Sequence, residues 1–181
     1  DEEPEEKKTV KRRPLKLLFM ACSPQDVHPE LGFEKEEEAI FEITKKLPIE
    51  MTVEDSGSLE GLSGLLNKEK YDVVYLSGHA NVDQDQNPYV IMEDETGSAT
   101  KIYPQELWKN ALIKNPPPLL FLSGCRTGDD SRPSIYPDAS GGMAASVFAK
   151  QLIETFPVSS VLAWSVKVSD RQAVHAGKLF F

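Results

Sequence analysis

Cysteine is nearly absent: Cys22 and Cys125 are the two in 181 residues, which rules out a disulfide framework and points to a reducing compartment. No apolar run approaches the roughly 18 residues a membrane-spanning helix needs. The first fourteen residues, DEEPEEKKTVKRRP, lack the apolar core of a signal peptide. Basic residues are outnumbered, 20 Lys and Arg against 29 Asp and Glu, and the net charge of -9 argues against non-specific binding to nucleic acid or to an anionic membrane. Neither an internal repeat nor a low-complexity tract is present. These absences leave a cytoplasmic protein as the expectation. With 40% hydrophobic and 27% charged residues, the chain has the composition and length of about one globular domain able to bury its own core.

Residues 1–14 are charged in blocks and read as a linker, with a single domain expected over 15–181. Within it, LKLLFMA (15–21) is an unbroken apolar run of strand length. FEKEEEAIFEITKKL (33–47) carries apolar residues at helical spacing, with acids early and lysines late. IEMTV (49–53) is a strand, SLEGLSGLLNK (58–68) a helix, and YDVVYL (71–76) a third strand stopping before Ser-Gly-His. PYVIMEDETGSATKIYP suggests a hairpin turning at Glu95-Thr96-Gly97, and PQELWKNALI (104–113) a helix with proline at its start. PLLFL (118–122) is a fourth strand, 126–142 a loop, MAASVFAKQLIET (143–155) a helix and VSSVLAWSV (158–166) a fifth strand, before a helix beginning at DRQAVHAG. Apolar strands alternating with helices predict a mainly parallel sheet covered on both faces, an α/β protein of three layers.

Ligands of such sheets bind beyond the carboxyl ends of the strands. His79 and Cys125 fall on that rim, each straight after Ser-Gly, with the glycines Gly78 and Gly124 allowing a sharp turn and a close substrate approach. Taken singly, a cysteine after a strand reads as an inert small hydrophobe and a histidine there as structural. Together they fit a thiolate nucleophile and the imidazole that activates it. The caspase signature places its histidine about 50 residues before the cysteine; here the separation is 46, although SGCRTG departs from the caspase block. His28, in a proline-bracketed loop, and His175, in the last helix, lack such a setting. A metal site of Cys22, Cys125 and His79 would want a fourth ligand or a C-x-x-C spacing, so no metal is expected, and no cofactor. ASGGMA (139–144) lacks the Lys-Ser/Thr pair of a phosphate loop. A flavodoxin-like or response-regulator reading would want an acidic cluster after the first strand, where CSPQDVHPE offers scattered acids.

Several ordered motifs resemble those of the CHAT domain, a caspase-like peptidase module often fused to tetratricopeptide repeats. LLFMACSPQDVHPELGFEKEEEAI is similar to that family's first strand, loop and acidic helix, YDVVYLSGHA to its histidine strand, and VIMEDETGSATKIYPQEL to its hairpin. LLFLSGCRTG resembles its cysteine strand, and VSSVLAWSVKVSD the strand after it, with Trp164 and Asp170. The resemblance implies a caspase-like α/β/α fold and a Cys-His peptidase. It also implies an oxyanion hole from the backbone amides of Ala80, where the family often has glycine, and Cys125.

The family continues to a further helical segment and a last strand, so the chain is expected to be C-terminally incomplete, with part of the substrate groove open. Arg126 is a candidate for depressing the thiol pKa. Ser123 stands where relatives that cut after Arg or Lys carry an acid; Asp26 and Asp170 are the remaining acids for a pocket, and selectivity by charge is expected to be weak. The expected partners are a protein substrate and an upstream repeat or sensor module whose engagement orders the polar loops at 80–90 and 126–142. A non-catalytic caspase-like scaffold is the alternative.

Overall fold

The unbroken Val, Leu, Ile and Phe runs do form the centre of a parallel sheet. The computed structural model describes residues 13–28, 32–125 and 141–164; residues 1–12, Arg126 and Asp170 lie outside them. The elements are β1 (Leu15–Ala21), α1 (Phe33–Thr44), β2 (Ile49–Glu54), α2 (Leu59–Lys68), β3 (Val73–Val82), β4 (Pro88–Glu93) and β5 (Ala99–Ile102). They continue with α3 (Pro104–Leu107), a π-helical turn (Trp108–Leu112), β6 (Leu119–Cys125), α4 (Gly141–Thr155) and β7 (Val161–Ala163).

β2, β1, β3, β6 and β7 are joined in parallel in that order, while β4 and β5 add an antiparallel hairpin to β3. Side chains alternate across the strands. Leu17 and Phe19 of β1, with Val73, Tyr75 and Phe121, therefore meet Ile40 of α1 on one face. Leu18 and Met20, with Val74, Leu76, Leu120 and Leu122, meet α2, the π-helical turn and α4 on the other. This is the three-layer α/β/α arrangement expected of a caspase-like fold. Each large side chain buried in it, such as Phe19, Tyr75 or Phe121, contributes about 1.5–3 kcal/mol relative to exposure.

Several elements depart from the sequence expectation, among them the strand expected over 158–166, which is β7 at Val161–Ala163. β3 does not stop before Ser77 but runs on to Val82, because residues 79–82 find a second partner in β4. β6 likewise includes Ser123, Gly124 and Cys125, so neither Ser-Gly pair makes a sharp turn. α1 ends at Thr44 rather than Leu47: Pro48 disfavours helix before it, and the chain tightens through Lys46 N to Ile43 O and Leu47 N to Thr44 O. The helix expected over 104–113 starts at Pro104, with Glu106 bonding back to Tyr103 N at 2.9 Å, then widens so that Ile113 N reaches Trp108 O.

Local chemistry fixes the loops beside the sheet. Ser58 caps α2 by accepting from Gly61 N at 3.0 Å. Asp94 closes the β4–β5 hairpin, its Oδ1 accepting from Thr96 N and Ser98 N, with Gly97 at φ +77°. The segment expected as a polar loop at 80–90 is instead the end of β3, a turn and the start of β4. Asp83 holds that turn through Asp85 N and Asn87 N, both at 2.9 Å. The loop after β1 is tied to the hairpin by Ser23 N donating to Glu93 Oε1 (3.0 Å), Gln25 N donating to Gly97 O (3.2 Å) and Asp26 Oδ1 accepting from Ala99 N (2.8 Å).

Candidate active site

The β3–β6 ladder runs Tyr75–Phe121, Leu76–Leu122, Ser77–Ser123, Gly78–Gly124 and His79–Cys125. The two residues singled out by the sequence are thus direct partners on neighbouring parallel strands, which lie about 4.8 Å apart. Of Gly124 and Cys125 the structure fixes the backbone position. His79 is 2% exposed and is paired with Ile91 of β4 on its other side, so three strands meet at it. β4 therefore occupies the side of β3 that β1 leaves at Ala21. Ala80, fully buried, pairs with Val90.

Gly78 serves close packing rather than turning. A Cβ there would lie 3.3 Å from the Cβ of Cys22 and 3.6 Å from the carbonyl oxygen of Ile91. Cys22, Gly78, His79, Ala80 and Met92 line part of a mostly apolar recess of about 320 Å³. Cys22 is not a nucleophile: burial, reinforced by the charges of Glu93 and Glu54, pushes its thiol well above the ordinary range.

The Ser77–Ser123 rung, two before His79–Cys125, meets a residue that sequence reasoning missed. Glu36 of α1 is 5% exposed and accepts hydroxyl hydrogen bonds from Tyr75 (2.6 Å), Ser77 and Ser123 (2.9 Å). The signal was available. Glu36 precedes Ala39 and Ile40 by three and four residues, on the core-facing stripe of α1, and with Thr44 these are the buried positions of that helix. It was hidden in the acidic run 34–38, which reads as a solvated face.

The remaining candidates are dispersed. Ser123 is buried, bonded to Glu36 and approached by Trp164 Nε1 at 3.5 Å. Trp164 packs edge-on against Phe121, with ring centroids 5.8 Å apart. Asp26 is exposed and holds Ala99 N. His28 is exposed in the loop after β1. His175 and residues 126–140 of the loop expected over 126–142 lie outside the described residues, and α4 already begins at Gly141. Among the described residues no helix is long and apolar enough to cross a membrane.

A mostly parallel α/β sheet covered by helices on both faces is the architecture of the caspase-like class. Within it, the chain belongs to the CHAT domain family, which it matches over residues 3–175. That family is caspase-like and peptidase-related. No curated protein matches the chain.

Proposed function

We propose that the chain is a cysteine endopeptidase with Cys125 as nucleophile and His79 as its acid–base partner. The observation that carries this reading is the pairing of His79 with Cys125 on one rung of the β3–β6 ladder. The Cys125 thiol passes its proton to His79 as its sulfur attacks the scissile carbonyl of a protein substrate, forming a C–S bond, and negative charge collects on the carbonyl oxygen. The backbone amides of Ala80 and Cys125 stabilise that oxyanion, and any non-proline residue supplies such an N–H. His79 protonates the departing amine as the C–N bond breaks. It then takes a proton from water, which attacks the thioester and releases the acid and the free thiol.

Arg126 supports the thiolate by its charge. By resemblance to the family, Trp164 and Asp170 are assigned to the pocket for the side chain before the cut, Ser123 and Asp26 being engaged by Glu36 and by Ala99 N, and an upstream repeat or sensor module delivers the substrate and switches activity on. The family and the rung pairing support the catalytic core of this reading; the pocket and the partner rest on resemblance to the family. The test uses a fluorogenic peptide library and a thiol-reactive peptide probe on the wild type, Cys125→Ala and His79→Ala. Cleavage and selective labelling of Cys125 that vanish in Cys125→Ala, with cleavage lost in His79→Ala, are expected. Neither cleavage nor selective labelling in the wild type, even with the upstream module, identifies a non-catalytic scaffold instead.

A further inference from the structure

The repeated Ser-Gly dipeptide has a reason beyond its glycines. Ser77 and Ser123 are partners across β3 and β6, and both are buried. Ser77 donates to Oε2 of Glu36 and Ser123 to Oε1, so one carboxyl group joins the two strands through its two oxygens. Tyr75, one same-face rung earlier, adds a third hydroxyl. A carboxyl group inside an apolar layer is costly, and filling the same space with apolar side chains is often the more stable solution. A buried polar group of this kind is best accounted for by an arrangement it fixes. Here the arrangement lies two residues before His79 on one strand and two before Cys125 on the other. Among the described residues, His79–Cys125 is the final rung of the β3–β6 ladder.

We propose that Glu36 is a positioning residue that bridges Ser77 and Ser123 and thereby holds His79 and Cys125 at one height across the β3–β6 pair. The inference rests on the reading of His79 and Cys125 as a dyad. Glu36 acts through the two serines and touches no substrate; it confines the end of the ladder so that nucleophile and acid–base group meet without a search.

The experiment compares the wild type with Glu36→Gln, Ser77→Ala, Ser123→Ala and the double serine variant, all in the full chain. It reads kcat and KM on a cleavable peptide, together with amide hydrogen exchange along β1, β3 and β6. A loss in kcat on the order of 10- to 100-fold is expected in Glu36→Gln and the double variant, with KM within about 2-fold. Ser77→Thr, which keeps the hydroxyl, is expected to recover most of the kcat lost in Ser77→Ala. Faster exchange is expected at residues 77–79 and 123–125, with β1 unchanged. Unaltered kcat and exchange overturn the proposal. So does a loss that follows general unfolding and is not recovered by the threonine. If Glu36→Gln fails to fold, the serine variants decide, because they leave the carboxyl group in place. If the wild type cleaves nothing, the dyad reading fails and exchange alone decides the bridge: faster exchange confined to those rungs supports it, and exchange equal to wild type overturns it.

Discussion

His79 and Cys125 are paired across β3 and β6, and His79 is held from its other side by Ile91 of β4. A histidine so placed is an internal strand residue. It is 2% exposed, whereas a residue at a strand's end commonly faces solvent.

This position separates the two dyad substitutions by their effect on stability. His79→Ala opens space at the junction of three strands and is expected to cost about 1–3 kcal/mol. Cys125→Ala removes a single sulfur atom and is expected to cost less. Both are expected to abolish cleavage. Urea melts alongside peptide hydrolysis check this, and wild-type cleavage by either variant would remove that residue from the mechanism.

Gly78→Ala tests the packing that lets β4 replace β1 beside β3. The new methyl would meet the Cβ of Cys22 at 3.3 Å and two carbonyl oxygens, of Cys22 and Ile91, at 3.6 Å. These are backbone or backbone-proximal atoms, which cannot swing aside. A loss of about 1–2 kcal/mol is expected. Because the contact is to a Cβ, Cys22→Gly relieves it in a double-mutant cycle and Cys22→Ala does not. Equal coupling with both would show that the strain lies elsewhere.

The parallel core was legible because its strands are buried on both faces and read as continuous apolar runs. The same rule hid the ends of β3 and β6. Ser77, Gly78, Ser123 and Gly124 are neither apolar nor β-branched, and nothing local shows that β4 or Glu36 will pair with them. Those ends are set by tertiary partners, one a hairpin strand and one a helix. The adjacency of His79 and Cys125 was legible from residue type and spacing, since they follow identical dipeptides at the ends of apolar runs. Asp26 shows the opposite: an acid near a strand end proved to be committed to a backbone amide of the hairpin.

That commitment predicts how Asp26 influences cleavage. Its Oδ1 accepts from Ala99 N at 2.8 Å, and the same loop is tied to the hairpin through Gln25. Asp26→Asn keeps an accepting oxygen, so selectivity for the residue before the cut is expected to stay the same. Asp26→Ala frees the loop and is expected to lower stability by about 0.5–1.5 kcal/mol, the usual worth of such a bond. A peptide library varied at that position provides the check. A strict basic preference erased by Asp26→Asn would make Asp26 a pocket acid.

Cys22 predicts a dependence of stability on alkaline pH. Burial raises its thiol above the ordinary value of 9.0, so the folded state keeps the proton that the unfolded chain releases. At pH above 9.0 the folded protein therefore binds more protons than the unfolded one, and stability falls as pH rises. Below that value both states are protonated and the contribution is fully present. The wild type is expected to lose about 1.4 kcal/mol per pH unit above 9.0 relative to Cys22→Ala, which has no thiol to ionise. Denaturant melts of both proteins at pH 7 and pH 10 measure the difference. A gap between them that is the same at the two pH values would mean that the Cys22 thiol ionises in the folded protein as readily as in the unfolded chain.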